Sequence, residues 1–101
     1  LLTVGSMTID CDTRSVQRNG RRIDLTKTEF NLLELLAEQS GIVVSRETIY
    51  EHVWGYDMDL ESNLVEVYVQ RLRAKLDKNR EPKLIRTVRG AGYRLTAQVT
   101  V

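Results

Sequence analysis

Residues 63–76, NLVEVYVQRLRAKL, constrain the fold most, because they combine two unlike faces in one helical pattern. Apolar side chains recur three or four residues apart and form one stripe of an α-helix: Val65, Val69, Leu72 and Leu76. The opposite face carries hydrogen-bond donors and positive charge, and it consists of Asn63, Val67, Gln70, Arg71 and Lys75. Such a helix docks on a core by one side and leaves the other side free for a partner.

A second basic segment follows at residues 85–95, IRTVRGAGYRL. Its β-prone runs predict strands over Leu84–Val88 and Tyr93–Ala97, on either side of the turn sequence Gly90-Ala91-Gly92. Arginines stand at the tip and the base of this hairpin. A basic helix followed by a basic hairpin is the pattern of a winged helix-turn-helix, whose last helix fits the major groove of DNA.

The first 25 residues predict a small antiparallel sheet. Asn19-Gly20 is the strongest turn signal, because both residues accept the positive φ values of a type I′ hairpin. Short runs of alternating apolar and polar residues predict the strands Leu2–Val4, Met7–Ile9, Ser15–Gln17 and Arg22–Leu25. A sheet of such short strands has one apolar face, which other elements must cover.

Two further helices are predicted between this sheet and the 63–76 helix. Thr26 and Glu29 fit a capping box, and Gly41 suits a left-handed residue after the helix that this box begins. Ser45 is the predicted N-cap of a second helix, from Arg46 to about Val53. The first helix is apolar over more than half of its circumference, and it is therefore expected to be central, through Phe30, Leu32, Leu33, Leu35, Leu36 and Ala37.

The net charge of +1 hides an asymmetry along the chain. Residues 1–60 hold six basic and ten acidic side chains, a net charge of −4. Residues 61–101 hold nine basic and four acidic side chains, a net charge of +5. The positive charge is thus concentrated on the 63–76 helix and the hairpin, as expected of a surface for a polyanion.

Composition narrows the function classes. Cys11 is the only cysteine and His52 the only histidine, so neither a disulfide nor a Cys/His zinc site can form within one chain. No motif orients this pair for catalysis, and Gly-Ala-Gly lacks the βα entry and third glycine of a dinucleotide fingerprint. No apolar run approaches the roughly 20 residues that span a bilayer. The composition is compatible with an intracellular protein, and we expect a cytoplasmic, non-catalytic domain with no cofactor, metal or membrane partner.

Four segments, in this order and spacing, resemble the effector domain of OmpR/PhoB-type two-component response regulators: LTKTEFNLLELL (25–36), SRETIYEHVWG (45–55), VEVYVQRLRAKL (65–76) and IRTVRGAGYRL (85–95). The resemblance implies one α+β domain over residues 1–101. It consists of an N-terminal four-stranded antiparallel sheet, three helices and a C-terminal β-hairpin wing. It also implies a receiver domain before Leu1, which a cognate histidine kinase phosphorylates.

The same resemblance implies sequence-specific binding of double-stranded DNA. Arg71 is best placed for a bidentate contact to guanine, and Arg89 at the wing tip is similar to the family's minor-groove arginine. The third helix is expected to face base edges with Asn63, Leu64, Val67, Tyr68 and Arg71. Phosphate contacts are expected from Arg73, Lys75, Thr87 and Tyr93. Gly90 and Gly92 are expected to allow the tight turn and a close approach of the backbone to DNA.

The loop before the third helix is similar to the family segment that contacts RNA polymerase: Trp54, Gly55, Tyr56, Asp57, Met58, Asp59 and Leu60. For Trp54 the alternative is a ring that packs on the core beneath the loop, and both roles are compatible. Family members usually bind tandem half-sites as dimers, which raises the effective concentration on DNA.

This chain departs from the family at three positions of the third helix. Asn63 and Tyr68 stand where an arginine or histidine is common, and Gln70 stands where a second arginine is common beside Arg71. Each substitution removes charge, so the base sequence that is read does not follow from the resemblance. Tyr68 can stack, form a hydrogen bond or shield the helix.

Two other interpretations are compatible with the sequence. Arg71, Arg73 and Arg89 can be solvated charges or partners of an acid such as Glu66. Alternatively, a winged helix can serve protein–protein contact, in which case a partner protein buries the outer face of the third helix.

Overall fold

The alternating N-terminal runs form four short antiparallel strands, β1 (Leu2–Val4), β2 (Met7–Asp10), β3 (Ser15–Arg18) and β4 (Arg21–Ile23). Alternate side chains point into the core, and Val4, Met7, Ile9 and Val16 are at most 1% exposed. The structure is a computed structural model, and it describes residues 1–39, 41–55, 62–78, 83–96 and 99–100. The predicted strands are confirmed, although β4 ends earlier than expected because the chain then turns into the cap at Thr26.

The β3–β4 turn has the predicted geometry. Asn19 and Gly20 adopt φ values of 54° and 78°, as a type I′ turn requires, and the chain reverses between Arg18 and Arg21. In the turn before β3, the Asp10 carboxylate accepts hydrogen bonds from the backbone N–H groups of Asp12 and Thr13, at 3.0 and 3.2 Å. Local turn chemistry therefore sets the register of this sheet.

A short fifth strand, β7 (Val99–Thr100), extends the sheet in the order β4-β3-β2-β1-β7. It pairs antiparallel with β1, with Thr3 opposite Thr100 and Val4 opposite Val99. The predicted four-stranded sheet is confirmed, but this addition was not predicted. Two β-prone residues are too short a run to be distinguished from an irregular terminus by alternation.

Three helices follow the sheet: α1 (Lys27–Glu38), α2 (Arg46–Trp54) and α3 (Leu64–Leu76). The capping box is confirmed at α1, where the Glu29 backbone donates to the Thr26 hydroxyl and the Thr26 backbone donates to the Glu29 carboxylate. Ser45 caps α2 as predicted, through a hydrogen bond from the Thr48 backbone. Asn63 precedes α3 as its N-cap residue without a side-chain hydrogen bond.

A single apolar cluster joins the sheet, the helices and the hairpin. The predicted stripes of α1 and α3 lie within it, and every residue of these stripes is at most 3% exposed: Phe30, Leu32, Leu33, Leu35, Leu36, Ala37, Val65, Val69, Leu72 and Leu76. Burial of the inner stripe fixes which side of α3 faces outward.

The C-terminal hairpin consists of β5 (Ile85–Val88) and β6 (Gly92–Leu95), and we call it the wing. Both arms are shorter than predicted, and Ala97 lies outside the described residues. An antiparallel bridge between Val44 and Tyr93 attaches the wing to the segment before α2, with N–H···O distances of 2.8 and 3.0 Å. The wing is therefore bonded through its backbone to the helical unit.

Candidate nucleic-acid interface

The outward side of α3 is polar and basic, as its amphipathic pattern requires. Arg71 is exposed, and Leu64, Val67 and Tyr68 are half-buried on the borders of this surface. Burial of Val65, Val69, Leu72 and Leu76 leaves the other positions of α3 outward. Between residues 63 and 78 the exposed ones are Asn63, Gln70, Arg71, Ala74 and Lys78. The five predicted base-facing residues, Asn63, Leu64, Val67, Tyr68 and Arg71, thus retain at least partial exposure.

The guanidinium of Arg71 lies over the ring of Tyr68, with the Cζ atom 5.0 Å from the ring centroid. Among the described residues, no acid forms an ion pair with Arg71. Glu66 was the acid suggested from the sequence as an alternative partner for the arginines. Its carboxylate instead lies 2.8 Å from the guanidinium of Arg46. The hydrogen bond and charge of Glu66 also raise the pKa of Arg46. Within the described residues, no acid therefore competes for the donors of Arg71.

Tyr68 is itself supported by two aromatic residues of α2. The rings of Tyr68 and Trp54 meet edge to face with centroids 5.3 Å apart, and Trp54 meets Tyr50 at 5.7 Å. Trp54 is half-buried against the apolar core. The packing role for Trp54 is therefore confirmed. Gly55 is described as the C-cap of α2, and Tyr56, Asp57, Met58, Asp59 and Leu60 lie outside the described residues.

Arg73 joins α3 to the wing. Its guanidinium donates to the Thr87 hydroxyl and, at 3.4 Å, to the Ile85 carbonyl. It also lies over the Tyr93 ring, 5.6 Å from the centroid. Burial and then the charge of Glu66 raise the pKa of Tyr93, so its hydroxyl is protonated and able to donate at neutral pH. Three of the four predicted phosphate ligands, Arg73, Thr87 and Tyr93, are brought together here.

The fourth, Lys75, is bound to another part of the protein. Its ammonium lies 2.6 Å from the carboxylate of Glu29, a residue of α1 that is only 2% exposed. Burial favours protonation of Glu29, but the hydrogen bonds from Lys75 and Thr26 outweigh it and lower its pKa. Lys75 thus neutralises a buried carboxylate while its side chain stays 37% exposed, and its contact with phosphate stays a prediction.

Arg89 is exposed at the tip of the wing, as predicted, in the turn closed by the Ala91 N–H and the Val88 carbonyl at 3.0 Å. Gly90 has open space around it, whereas a Cβ on Gly92 would lie 2.1 Å from the Val44 carbonyl oxygen. The prediction for Gly92 is corrected: the close backbone approach that it permits is to Val44 of the same chain.

Four further basic residues lie on or near the wing and were not singled out from the sequence. Arg86 and Arg94 stand directly opposite one another in the wing, and Lys78 and Lys83 are exposed near the end of α3 and the start of β5. Alternation in the hairpin could have revealed the arginine pair, because Arg86 and Arg94 follow and precede residues that point to the core.

A buried ion pair beneath the interface was also missed. Arg18 of β3 is fully buried, and its guanidinium lies 2.9 Å from the carboxylate of Asp77 at the end of α3. The same carboxylate accepts the backbone N–H groups of Leu84 and Ile85, at 3.0 and 3.1 Å. Asp77 thereby connects the first sheet, α3 and the wing. Alternation with Val16 places Arg18 on the buried face, which was the available signal.

The rest of the described surface was searched for metal sites, reactive side chains and membrane-spanning helices. Among the described residues, no three His, Cys, Asp or Glu side chains are grouped so as to hold a metal ion. Cys11 and His52 are both exposed. None of the helices in the described part of the chain combines the length and apolar character needed to cross a membrane.

Three helices with an outward basic face on the third, beside a hairpin bonded to the helical unit, define a winged helix-turn-helix domain. The family described as "Transcriptional regulatory protein, C terminal" matches residues 20–95. The chain belongs to this family, in its OmpR/PhoB-type branch of bacterial response regulators.

Known proteins that are similar in sequence and in fold include response regulators and their DNA-binding domains. The response regulator ArlR of Staphylococcus aureus is 48% identical over 93 residues, which are 92% of this chain and 42% of that protein. The RstA DNA-binding domain of Klebsiella pneumoniae, solved in complex with the RstA box, is 35% identical, with a TM-score of 0.83 over 92% of this chain and 93% of that one. DrrB, an OmpR/PhoB homologue of Thermotoga maritima, is 34% identical, with a TM-score of 0.78 over 92% of this chain and 42% of that one.

Proposed function

We propose that this domain binds double-stranded DNA sequence-specifically, as the effector domain of a two-component transcriptional response regulator. The observation that carries the proposal is the outward face of α3, where Arg71 has no acidic partner among the described residues. Arg73 of the same helix contacts the basic wing through Thr87 and Tyr93. The net charge of +5 on residues 61–101 supports a polyanionic partner. The similar RstA domain was solved bound to its DNA box.

In this proposal α3 lies in the major groove. Arg71 donates two hydrogen bonds to the O6 and N7 atoms of a guanine, which is the commonest specific contact of an arginine. Asn63, Leu64 and Val67 occupy the same face and contact neighbouring base edges. Tyr68 completes the face beside Arg71.

The wing binds the backbone and the minor groove. The hydroxyl groups of Thr87 and Tyr93 donate hydrogen bonds to phosphate oxygens. Arg73, which contacts both residues, adds positive charge there. Arg89 extends from the tip into the minor groove, where it responds to groove width and potential more than to a base code. Arg86 and Arg94 add positive potential on the wing.

The remaining partners belong to a longer protein. The chain spans about two-fifths of the length of the curated relatives that it matches. We propose a cytoplasmic regulator with an N-terminal receiver domain, phosphorylated by a cognate histidine kinase, and binding to tandem half-sites as a dimer. Residues 54–60 are proposed to contact RNA polymerase. The effector domain itself performs no catalysis, in keeping with its family.

Selection of binding sites from random duplex DNA tests the proposal. The domain should enrich one motif, and its affinity for that motif should fall with salt at a log–log slope of about −0.9 for each phosphate neutralised. The protein–protein alternative predicts no enrichment, together with weak binding that does not differ between the selected duplex and a scrambled one. That result would reject the proposed function.

A further inference from the structure

We infer that Tyr68 is a positioning residue for Arg71, and that it sets base specificity through the arginine rather than by contacting a base. The inference rests on the proposed function and adds the means by which the reading side chain is held. It follows from a series of contacts between α2 and α3. Tyr50 meets Trp54 with tilted rings, Trp54 meets Tyr68 edge to face, and Arg71 lies over the Tyr68 ring.

An exposed arginine is ordinarily mobile, because its long side chain populates many rotamers. Ordering such a side chain at an interface weakens binding by a factor of roughly 2 to 10. Here the Arg71 guanidinium already lies 5.0 Å from the centroid of the Tyr68 ring, within the range of a cation–π attraction. Part of the ordering is therefore complete before DNA binds.

This attraction leaves the hydrogen-bond donors of Arg71 unused. The ring face attracts the positive charge, whereas a bidentate contact to guanine uses the N–H groups of the guanidinium. Both interactions can therefore be made by one side chain at the same time. An acidic partner would instead compete for those donors, and among the described residues Arg71 has none.

The Tyr68 ring is held from behind. Trp54 meets it edge to face at 5.3 Å, and Trp54 in turn packs on Tyr50, which is 8% exposed. Tyr68 is half-buried between Trp54 and Arg71, and this limits the ring area available to a base. A smaller or charged residue at position 68 would provide no fixed ring for the Arg71 guanidinium to lie over with its N–H groups unused.

The test compares Tyr68→Phe, Tyr68→Leu, Arg71→Ala and the double variant Tyr68→Leu/Arg71→Ala. Affinities are measured on the selected duplex and on duplexes changed at one base pair at a time. Arg71→Ala should reduce discrimination at one base position by about 5- to 150-fold. Tyr68→Leu should reduce discrimination at that same position by about 2- to 10-fold, and Tyr68→Phe, which keeps the ring, should stay within twofold of the parent. In the Arg71→Ala background, Tyr68→Leu should have no further effect there.

Two controls separate positioning from folding. Thermal unfolding of each variant shows whether the domain is folded at the temperature of the binding measurements. In the DNA-free domain, the Arg71 side-chain protons should show an upfield ring-current shift that Tyr68→Phe keeps and Tyr68→Leu abolishes.

The outcomes distinguish this inference from the proposed function. If Arg71→Ala loses discrimination while Tyr68→Leu does not, or if Tyr68→Leu acts at a different base position, the inference is wrong and DNA reading by α3 stands. An absent ring-current shift in the free parent also overturns the inference alone. If Arg71→Ala changes no base position, the assignment of the reading helix fails, and the role of Tyr68 fails with it.

Discussion

At the scale of single residues, Gly92 is the glycine of the wing that has no room for a side chain. Its φ of 148° opposes any side chain, and so does the Val44 carbonyl oxygen, which would lie 2.1 Å from an added Cβ. Gly90, two residues earlier, has a φ of 73° and open space around it. The two glycines of the wing therefore have different physical requirements.

Gly92→Ala is expected to destabilise the domain by about 3–4 kcal/mol, because it adds a backbone clash to a strained φ. Gly90→Ala, the matched control, adds only the left-handed strain and should cost about 1–2 kcal/mol. Urea unfolding measures both values. Equal losses in the two variants would show that contact with Val44 does not hold the wing.

Glu29 makes the stability of the fold depend on pH. The hydrogen bonds from Lys75 and Thr26 outweigh burial and lower its folded pKa, whereas an unfolded glutamate titrates at about pH 4.3. Its contribution to stability is therefore fully present above the unfolded pKa, and it is lost as the pH falls through the folded pKa.

We therefore expect the free energy of unfolding of the parent to decrease more steeply below about pH 5 than that of Glu29→Gln, which cannot ionise. Urea titrations at several pH values between about 3 and 7 measure the difference between the two profiles. The other carboxylates are common to both proteins, so they cancel in this difference. Parallel profiles across that range would contradict the assigned role of the Glu29–Lys75 pair.

At the scale of elements, Asp77 connects α3 to the wing and to the first sheet. Its carboxylate accepts one charged donor from Arg18 and two backbone N–H groups from residues 84 and 85. Loss of the negative charge would remove the ion pair between Asp77 and the buried Arg18. A buried pair broken on one side is costly, since the remaining charge has no water to solvate it.

Asp77→Asn should lower the free energy of unfolding by about 3–5 kcal/mol. The control Asp24→Asn removes a carboxylate from an exposed pair, in which Arg22 and Asp24 are 75% and 89% exposed, and should cost at most about 1 kcal/mol. Hydrogen exchange should also show faster exchange at the backbone amides of residues 84 and 85. Comparable losses in the two variants would argue against Asp77 as the connection between these elements.

At the scale of the whole molecule, the fold was largely predictable because its sequence signals for caps, turns and apolar faces all indicate the same elements. The capping box at Thr26, the turn at Asn19-Gly20 and the apolar stripes of α1 and α3 each depend on near neighbours in the chain. The polar face of α3 follows from its stripe alone. The family resemblance was confirmed by the comparisons.

What sequence could not provide were pairings between distant residues. Lys75 meets Glu29 and Arg18 meets Asp77 only after the sheet and helices have assembled, and periodicity does not choose a partner for a charge. The same holds for the contact of Gly92 with Val44 and for the fifth strand beside β1. Tyr68 could be recognised as unusual, but its position between Trp54 and Arg71 depends on how α2 packs on α3.

The measurement that tests the central claim most directly is the specificity ratio of Arg71→Ala, the affinity for the selected duplex divided by that for a scrambled one at physiological salt. The control Arg21→Ala removes an equal charge from the exposed edge of the first sheet. We predict that Arg71→Ala lowers the ratio roughly 5- to 150-fold, which corresponds to a loss of about 1–3 kcal/mol in the binding free energy that distinguishes the two duplexes. Arg21→Ala should leave the ratio unchanged. A ratio for Arg71→Ala equal to that of the parent would contradict the claim that α3 reads the DNA sequence.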